Sequence, residues 1–399
     1  MKNVFLSITG FILFCCSASA VLANGSSSND GVFFYSIPKV SYGDFSFTAT
    51  GRLHMDYAFF TDDVARHQNH SQYRRARLGA KGQFMKDLAY KLDLDFVDKE
   101  IVFKDTYINY TGIENVELRF GNFKPGLSLE DLTSSNDITF IERSAPTSAF
   151  VAGQILGAGL YTYGEGWTFA TGAYLDNDAS GDLDNEALYT SARASFTPVK
   201  HDQTLLHIGG SIGYREPDQH TNSFDFDAKA ENSVQTADSV SAKFNGADDA
   251  KIYGAEFLTL HGPFSAQAEY YHLDVGRSGA NSDLNFDGGY AQISWSPTGE
   301  VRPYHAKYGT MGSLVPDKPF SLTDGHWGAV EFAMRYSTLD LTDQNVIGGK
   351  MKSYTLGANW YLNEYARVML NYIQADTDAN AVVANDDPKI VLLRGQIDW

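Results

Sequence analysis

Cysteine is nearly absent from this chain: its 399 residues hold two, Cys15 and Cys16, adjacent and inside the first apolar stretch. Everything after residue 16 is therefore without disulfides, thiol nucleophiles or cysteine metal ligands. Long apolar runs are missing too. Beyond residue 23 nothing approaches the roughly 18 residues of a spanning helix, which excludes a helical membrane bundle but leaves open a membrane protein built of strands. Positive charge is in deficit, with 31 Lys and Arg against 49 Asp and Glu for a net of −18, and that argues against nucleic acid as a partner. An acidic surface suits plain solubility and suits loops facing divalent cations equally well. Metal-ligand clusters are also lacking: His67 and His70 are close in sequence, but no third ligand group accompanies them.

What is present begins with a targeting pattern. Lys2 precedes an apolar run from Val4 to Cys16, followed by the small-residue sites Ala18-Ser19-Ala20 and Val21-Leu22-Ala23. Residues 1–23 read as a cleaved secretory signal. Phe14 precedes Cys15, so the lipoprotein pattern is not met. Residues 24–44 read as a polar N-terminal segment and 45–399 as a single domain.

That domain is defined by alternation. From Phe45 to Phe59 the odd positions are apolar or glycine (Phe45, Phe47, Ala49, Gly51, Leu53, Met55, Tyr57, Phe59), and Ser46, Thr48, Thr50, Arg52, His54 and Asp56 fill the gaps. At the other end Val391, Leu393, Gly395, Ile397 and Trp399 share one face, with Leu392, Arg394, Gln396 and Asp398 on the other. Tyr90 to Phe96, Val116 to Phe120 and Tyr354 to Leu362 repeat the pattern. Strands with one greasy and one wet face, separated by Gly/Asp/Asn/Ser-rich connections, predict an all-β fold, a transmembrane antiparallel β-barrel. At roughly two dozen residues per strand and connection, the ~376 residues left after the signal accommodate about 16 strands. Short turns are expected at one end and long loops at the other. An aromatic content of 14% is enough for two interfacial girdles. The longest polar insert, residues 216–250, is strongly acidic.

Several short motifs dissolve in this context. Gly209-Gly210-Ser211-Ile212-Gly213 matches a hydrolase elbow, but it sits inside an alternating strand rather than a strand-to-helix turn. Asp176-Asn177-Asp178-Ala179-Ser180-Gly181 begins like a calcium loop, yet the twelfth position is Ala187, which supplies no carboxylate. Asp93 and Asp95 fall on the wet face of one strand beside Lys91, as lumen lining rather than a catalytic acid pair. Arg52, Arg75, Arg77, Lys81, Lys91 and Arg119 also take lumen parity, and Arg74 is placed near a strand end. Guanidinium forks in a water-filled barrel either neutralise opposing carboxylates or form a track for anions.

Tyr73-Arg74-Arg75-Ala76-Arg77-Leu78-Gly79, Arg119-Phe120-Gly121-Asn122-Phe123-Lys124 leading to the run from Thr133 to Arg143, Phe264-Ser265-Ala266-Gln267-Ala268-Glu269-Tyr270, and Leu356-Gly357-Ala358-Asn359-Trp360-Tyr361-Leu362-Asn363-Glu364 together resemble the phosphate-selective porin O and P family. The resemblance spans nearly the whole chain after the signal. It implies an outer-membrane homotrimer of 16-stranded barrels in lipid, with the third loop, about residues 124–151, folded inward as a constriction. It also implies passive diffusion of small inorganic anions, phosphate or polyphosphate among them, without a cofactor. Arg52 and the pair Arg74-Arg75 match positions of the family's anion-guiding arginine track. The chain departs from that pattern where Asp131 and Asn136 stand in place of constriction lysines, and where the acidic insert 216–250 replaces an arginine-rich loop. The residues expected to carry anions are Arg52, Arg74, Arg75, Arg77, Arg119, Lys124 and Arg143. A weakly selective or cation-tolerant porin, in which those cations pair with Asp56, Asp93, Asp95, Asp105 and Glu117, stays open beside it. So do a barrel enzyme, which needs a serine, histidine and acid at one rim, and a plugged structural barrel.

Overall fold

Sixteen antiparallel strands, each paired with the next and the last with the first, make one closed barrel. In order they are β1 (Phe45–Thr61), β2 (His70–Met85), β3 (Leu88–Asp95), β4 (Thr106–Ile113), β5 (Val116–Phe123), β6 (Ile155–Gly164), β7 (Trp167–Asp176), β8 (Ala187–His201), β9 (Thr204–Arg215), β10 (Ala247–His261), β11 (Phe264–Arg277), β12 (Leu284–Trp295), β13 (Ala329–Asp343), β14 (Val346–Tyr361), β15 (Ala366–Thr377) and β16 (Lys389–Asp398). Closure runs from Arg52 opposite Asp398 to Thr61 opposite Lys389, so no sheet edge is left unpaired in the bilayer. A short strand Lys39–Tyr42 folds back on the start of β1, so pairing begins inside residues 24–44, read from sequence as a polar N-terminal segment. The computed structural model describes residues 39–61, 68–97, 100–176, 187–279 and 281–399; residues 1–23, read from sequence as a secretory signal, with both cysteines, His67 and residues 177–181 of the calcium-like motif lie outside them.

Alternation sets the two faces. On β1, Met55, Tyr57 and Phe59 are 44–49% exposed on the outer surface, while His54, Asp56 and Ala58 between them are at most 2% exposed. The lumen is thus filled, and three connections fill it. Residues 124–154 carry two short helices, α1 (Leu129–Leu132) and α2 (Ala145–Phe150). Residues 216–246 carry a hairpin, Ser223–Ala228 paired with Val240–Asn245. Residues 296–328 enter from the opposite end.

That third insert corrects the simple rule of short turns at one end. Two- to four-residue turns do join β2–β3, β4–β5, β6–β7, β8–β9, β10–β11 and β14–β15 at one end. Asn115, Gly166, Asp202 and Gly262 supply the positive φ that tight hairpins need. The β12–β13 connection at this same end is the long insert 296–328, and the two-residue turn of β13–β14 lies at the long-loop end.

The hairpin of the acidic insert is a hydrophobic plug. Phe224, Phe226, Val240 and Phe244 pack with Phe150 of α2 and with inward-facing Leu273, Val275, Phe286, Leu339, Leu341, Ile373, Ile390 and Leu392 of the wall. Leu392, assigned from sequence to a wet face, does face the lumen, but that part of the lumen is dry. The long-loop half of the barrel beside β10–β16 is therefore packed, and the charged cavity described below lies against the wall made by β1–β8.

Candidate functional site

The loop after β5 is held in place by the far wall. Ser128 caps α1 by accepting from the Asp131 backbone N–H (3.0 Å). The Leu129 and Glu130 N–H groups donate to Glu269 on β11 at 2.8 and 2.7 Å. Arginines then grip the loop's carbonyls: Arg302 donates to Asp137 O (2.9 Å), Arg367 to Ile138 O (3.0 Å), Arg394 to Ile141 O (2.5 Å) and Arg335 to Glu142 O (3.1 Å). These buried guanidiniums are scaffold. Arg335 is also bound by Glu231 (2.6 Å) and Glu130 (3.2 Å), and Arg302 by Glu331 (2.7 Å).

Opposite this scaffold, the loop and the β1–β8 wall enclose a cavity of about 370 Å³. It is lined by all seven residues singled out from sequence, Arg52, Arg74, Arg75, Arg77, Arg119, Lys124 and Arg143, and also by Lys91, Lys104, Arg193 and Lys307. Arg74 is not at a strand end. His54 pairs with Arg75 and Met55 with Tyr73, so Arg74 is the extra residue of a β-bulge inside β2. The bulge lets consecutive arginines reach one carboxylate: Arg74 meets Glu142 at 2.9 Å and Arg75 at 3.8 Å, and Arg394 joins from β16 at 2.6 Å. Burial pushes the Glu142 carboxyl up, but Arg74, Arg75 and Arg394 together hold it well below the usual carboxylate range.

Every one of the seven predicted cations has a carboxylate within 4 Å. Arg52 and Arg77 share Asp93 at 3.6 Å each, and Arg77 holds Asp95 at 2.7 Å. Lys124 and Arg143 share Asp131 at 3.4 and 3.3 Å, so the loop's aspartate is covered by two cations. Asn136 turns its carbonyl to Gln396 (3.2 Å). Arg119 sits in an aromatic box, 4.2 Å from the Tyr107 ring centre and 4.4 Å from that of Tyr161, with Phe123 and Tyr308 at 5.4 and 5.8 Å. It shares Glu117 (3.3 Å) with Lys307.

The short-turn insert completes the cavity's lower rim. Arg193 on β8 donates to the carbonyls of Tyr308 and Gly309 at 2.9 Å each while Glu256 holds it at 2.8 Å. Gly309 has φ +61°, and a Cβ there would meet Ser195, His207 and Arg193. His207 bonds Glu256 (2.8 Å) through one nitrogen and Tyr304 (2.7 Å) through the other, which leaves neither for a serine. Ser211 lies in mid-strand on β9, between Arg193 and Gly254 in register. The acidic insert contributes no carboxylate to the lining. Its Glu231 is buried against Arg335, Ser337 and Thr355.

Sequence reasoning missed Lys104, Arg193 and Lys307 as lining residues. Arg193 had a usable signal, the alternation Tyr189, Ser191, Arg193, Ser195, all buried on the lumen face. Lys104 and Lys307 sit in connections, where periodicity says nothing about direction.

Residues 47–399 match the family model "Phosphate-selective porin O and P". Porin O of Pseudomonas aeruginosa is 29% identical over 382 residues, covering 84% of each chain. Among solved structures, an anion-selective porin from Comamonas acidovorans superposes with a TM-score of 0.56 at 14% identity, over 89% of this chain and 100% of that one. The trimer form of OmpT, an outer membrane protein of Vibrio cholerae, gives 0.56 at 11% identity over 89% and 99%. At these identities the structural likeness speaks for the fold alone.

Proposed function

This chain belongs to the phosphate-selective porin O and P family of the Gram-negative outer membrane, and from that premise we propose that its β1–β8 cavity passes small inorganic anions, phosphate first among them, by passive diffusion. The observation that carries the reading is a local surplus of positive charge in an acidic protein. Eleven basic side chains line the cavity. Among the described residues, the carboxylates within 4 Å of them are seven, namely Asp93, Asp95, Asp105, Glu117, Asp131, Glu142 and Glu256, leaving four cations in excess. Arg394 also draws on Glu142 but brings Asp56 with it at 2.6 Å, so the balance is unchanged. The excess falls at Arg74/Arg75 around Glu142, Lys124/Arg143 around Asp131, Arg119/Lys307 around Glu117, and at Lys104. Water-excluded walls strengthen such a field, and several weak sites in series let an ion enter and leave.

The same pairings favour a second reading, a weakly selective porin in which arginines serve mainly to neutralise acids. Reversal potential under a KCl gradient, with phosphate titrated as a blocker of the chloride current, separates the two. The first reading expects anion selectivity and phosphate block, both reduced in Arg75→Ala; selectivity near zero and indifference to that substitution would sink it. The mid-strand position of Ser211 and the engagement of both nitrogens of His207 support a channel without enzymatic activity, and hydrolysis of ester or peptide substrates by purified protein would contradict this. A homotrimer is supported by the family and by the low wall of β3–β5, eight residues per strand against 15 to 17 in β1, β2, β13 and β14. A monomer mass in mild detergent would count against it.

A further inference from the structure

Ten of the eleven cavity cations have a carboxylate oxygen within 4 Å; Lys104 has none among the described residues, nor any hydrogen bond to its ammonium. Its surroundings explain why no internal partner is left. Among the described residues, the charged groups that bear on it most strongly are Arg77, Arg74 and Arg75, opposed by Asp95. Asp95 is already committed to Arg77 Nε at 2.7 Å and accepts the Val97 N–H at 3.3 Å.

The backbone beneath Lys104 is fixed. Its N–H donates to Asp93 O (2.8 Å), and its carbonyl accepts from the Asn122 amide (2.8 Å), just after the short pairing of Val102 and Phe103 with β3. The ammonium therefore projects from an anchored position into the lining. Burial, with the Arg77, Arg74 and Arg75 guanidiniums adding to it, holds this lysine below its ordinary pKa. A half-buried ammonium in a cavity lining, with three donors and no carboxylate beside it, keeps water as its partner, and an entering oxyanion can replace that water with a charge-assisted bond.

We propose that Lys104 is the specificity-determining charge of this channel, the point at which a small oxyanion docks while Arg74, Arg75 and Arg77 contribute their field. This rests on the anion reading above. Arg74 and Arg77 are hydrogen-bonded to Glu142 and Asp95, and Arg75 lies 3.8 Å from Glu142, whereas Lys104 offers all three N–H groups to a phosphate oxygen.

The test is phosphate block of single-channel chloride current in planar bilayers for the wild type, Lys104→Gln and Lys104→Arg, each first shown to be folded by heat-modifiable electrophoretic migration. Loss of one charge-assisted contact predicts block weakened about tenfold in Lys104→Gln and largely kept in Lys104→Arg. Chloride conductance in 1 M KCl, where exposed charges are screened, should scarcely change. Wild-type block left intact in Lys104→Gln overturns this inference alone. A wild type that is neither anion-selective nor blocked overturns the anion reading and this inference together.

Discussion

Lys124 shows how a single side chain couples the channel to pH. Burial lowers its pKa to about 8, Arg143 pushes in the same direction, and Asp131 opposes them without winning. A lysine with a depressed pKa is charged below that value and neutral above it, so the cavity loses positive charge as pH rises through about 8. Lys104 shifts in the same direction. Anion selectivity is expected to fall between pH 7 and 9, and Lys124→Gln to reduce the amplitude of that fall; reversal potentials across this range check it. An unchanged titration in Lys124→Gln would remove Lys124 from the account. Neither shift was legible in the sequence, because desolvation depends on what the chain folds around Lys124, and its neighbour Arg143 comes from the far end of the loop.

At the scale of elements, the insert 296–328 narrows the path from the short-turn end. Arg302 clamps it to Glu331, Lys307 and Tyr308 reach Glu117, and Met311 packs against Leu129, Leu205, Leu258 and Leu260. Replacing residues 303–312 with a short Gly/Ser linker is expected to raise single-channel conductance and lower selectivity, since the Lys307 and Tyr308 contacts go with it. Equal conductance would show that the narrowest point lies elsewhere. The strands themselves were readable wherever the two faces differ in polarity, as on β1, where Met55, Tyr57 and Phe59 face outward. The bulge at Arg74 was not, because the pairing of His54 with Arg75 and of Met55 with Tyr73 is a property of two strands. Nor was the inward course of 296–328, since a polar connection carries no period to say which way it turns.

Across the whole molecule, hydrophobic packing at one side of the lumen confines the charged path to the other. Phe226 sits at the centre of the plug, with ring centres of Phe224, Phe150, Phe244 and Phe286 at 5.3 to 6.2 Å. Phe226→Ala is expected to cost about 3–5 kcal/mol, read as a lower denaturation midpoint in guanidinium, because the rigid barrel cannot collapse onto the void. A midpoint unchanged from wild type would mean that the hairpin contributes little to stability. The plug had a faint sequence signal: Ile390-Val391-Leu392-Leu393 is apolar on both faces, which a strand between lipid and water does not need but a strand between lipid and a packed core does. The net charge of −18 likewise predicted nothing about the cavity, since the acidic insert buries Glu231 against Arg335.

What the sequence determined by itself was the solvent arrangement: period-2 alternation requires strands with one face in hydrocarbon and one in the lumen, and only a closed barrel satisfies their backbone in a bilayer. It also determined the supply of lumen arginines, because parity alone puts Arg52, Arg75, Arg77 and Arg119 on the inner face. The tertiary structure alone decided which of those charges are spent. Ion pairing joins residues far apart in the chain, Arg74 with Glu142 and Arg193 with Glu256, and an energy that falls with distance is settled only when the loops have closed. By that accounting Lys104, unremarkable in the sequence, emerges as the one cavity cation without a carboxylate within 4 Å among the described residues.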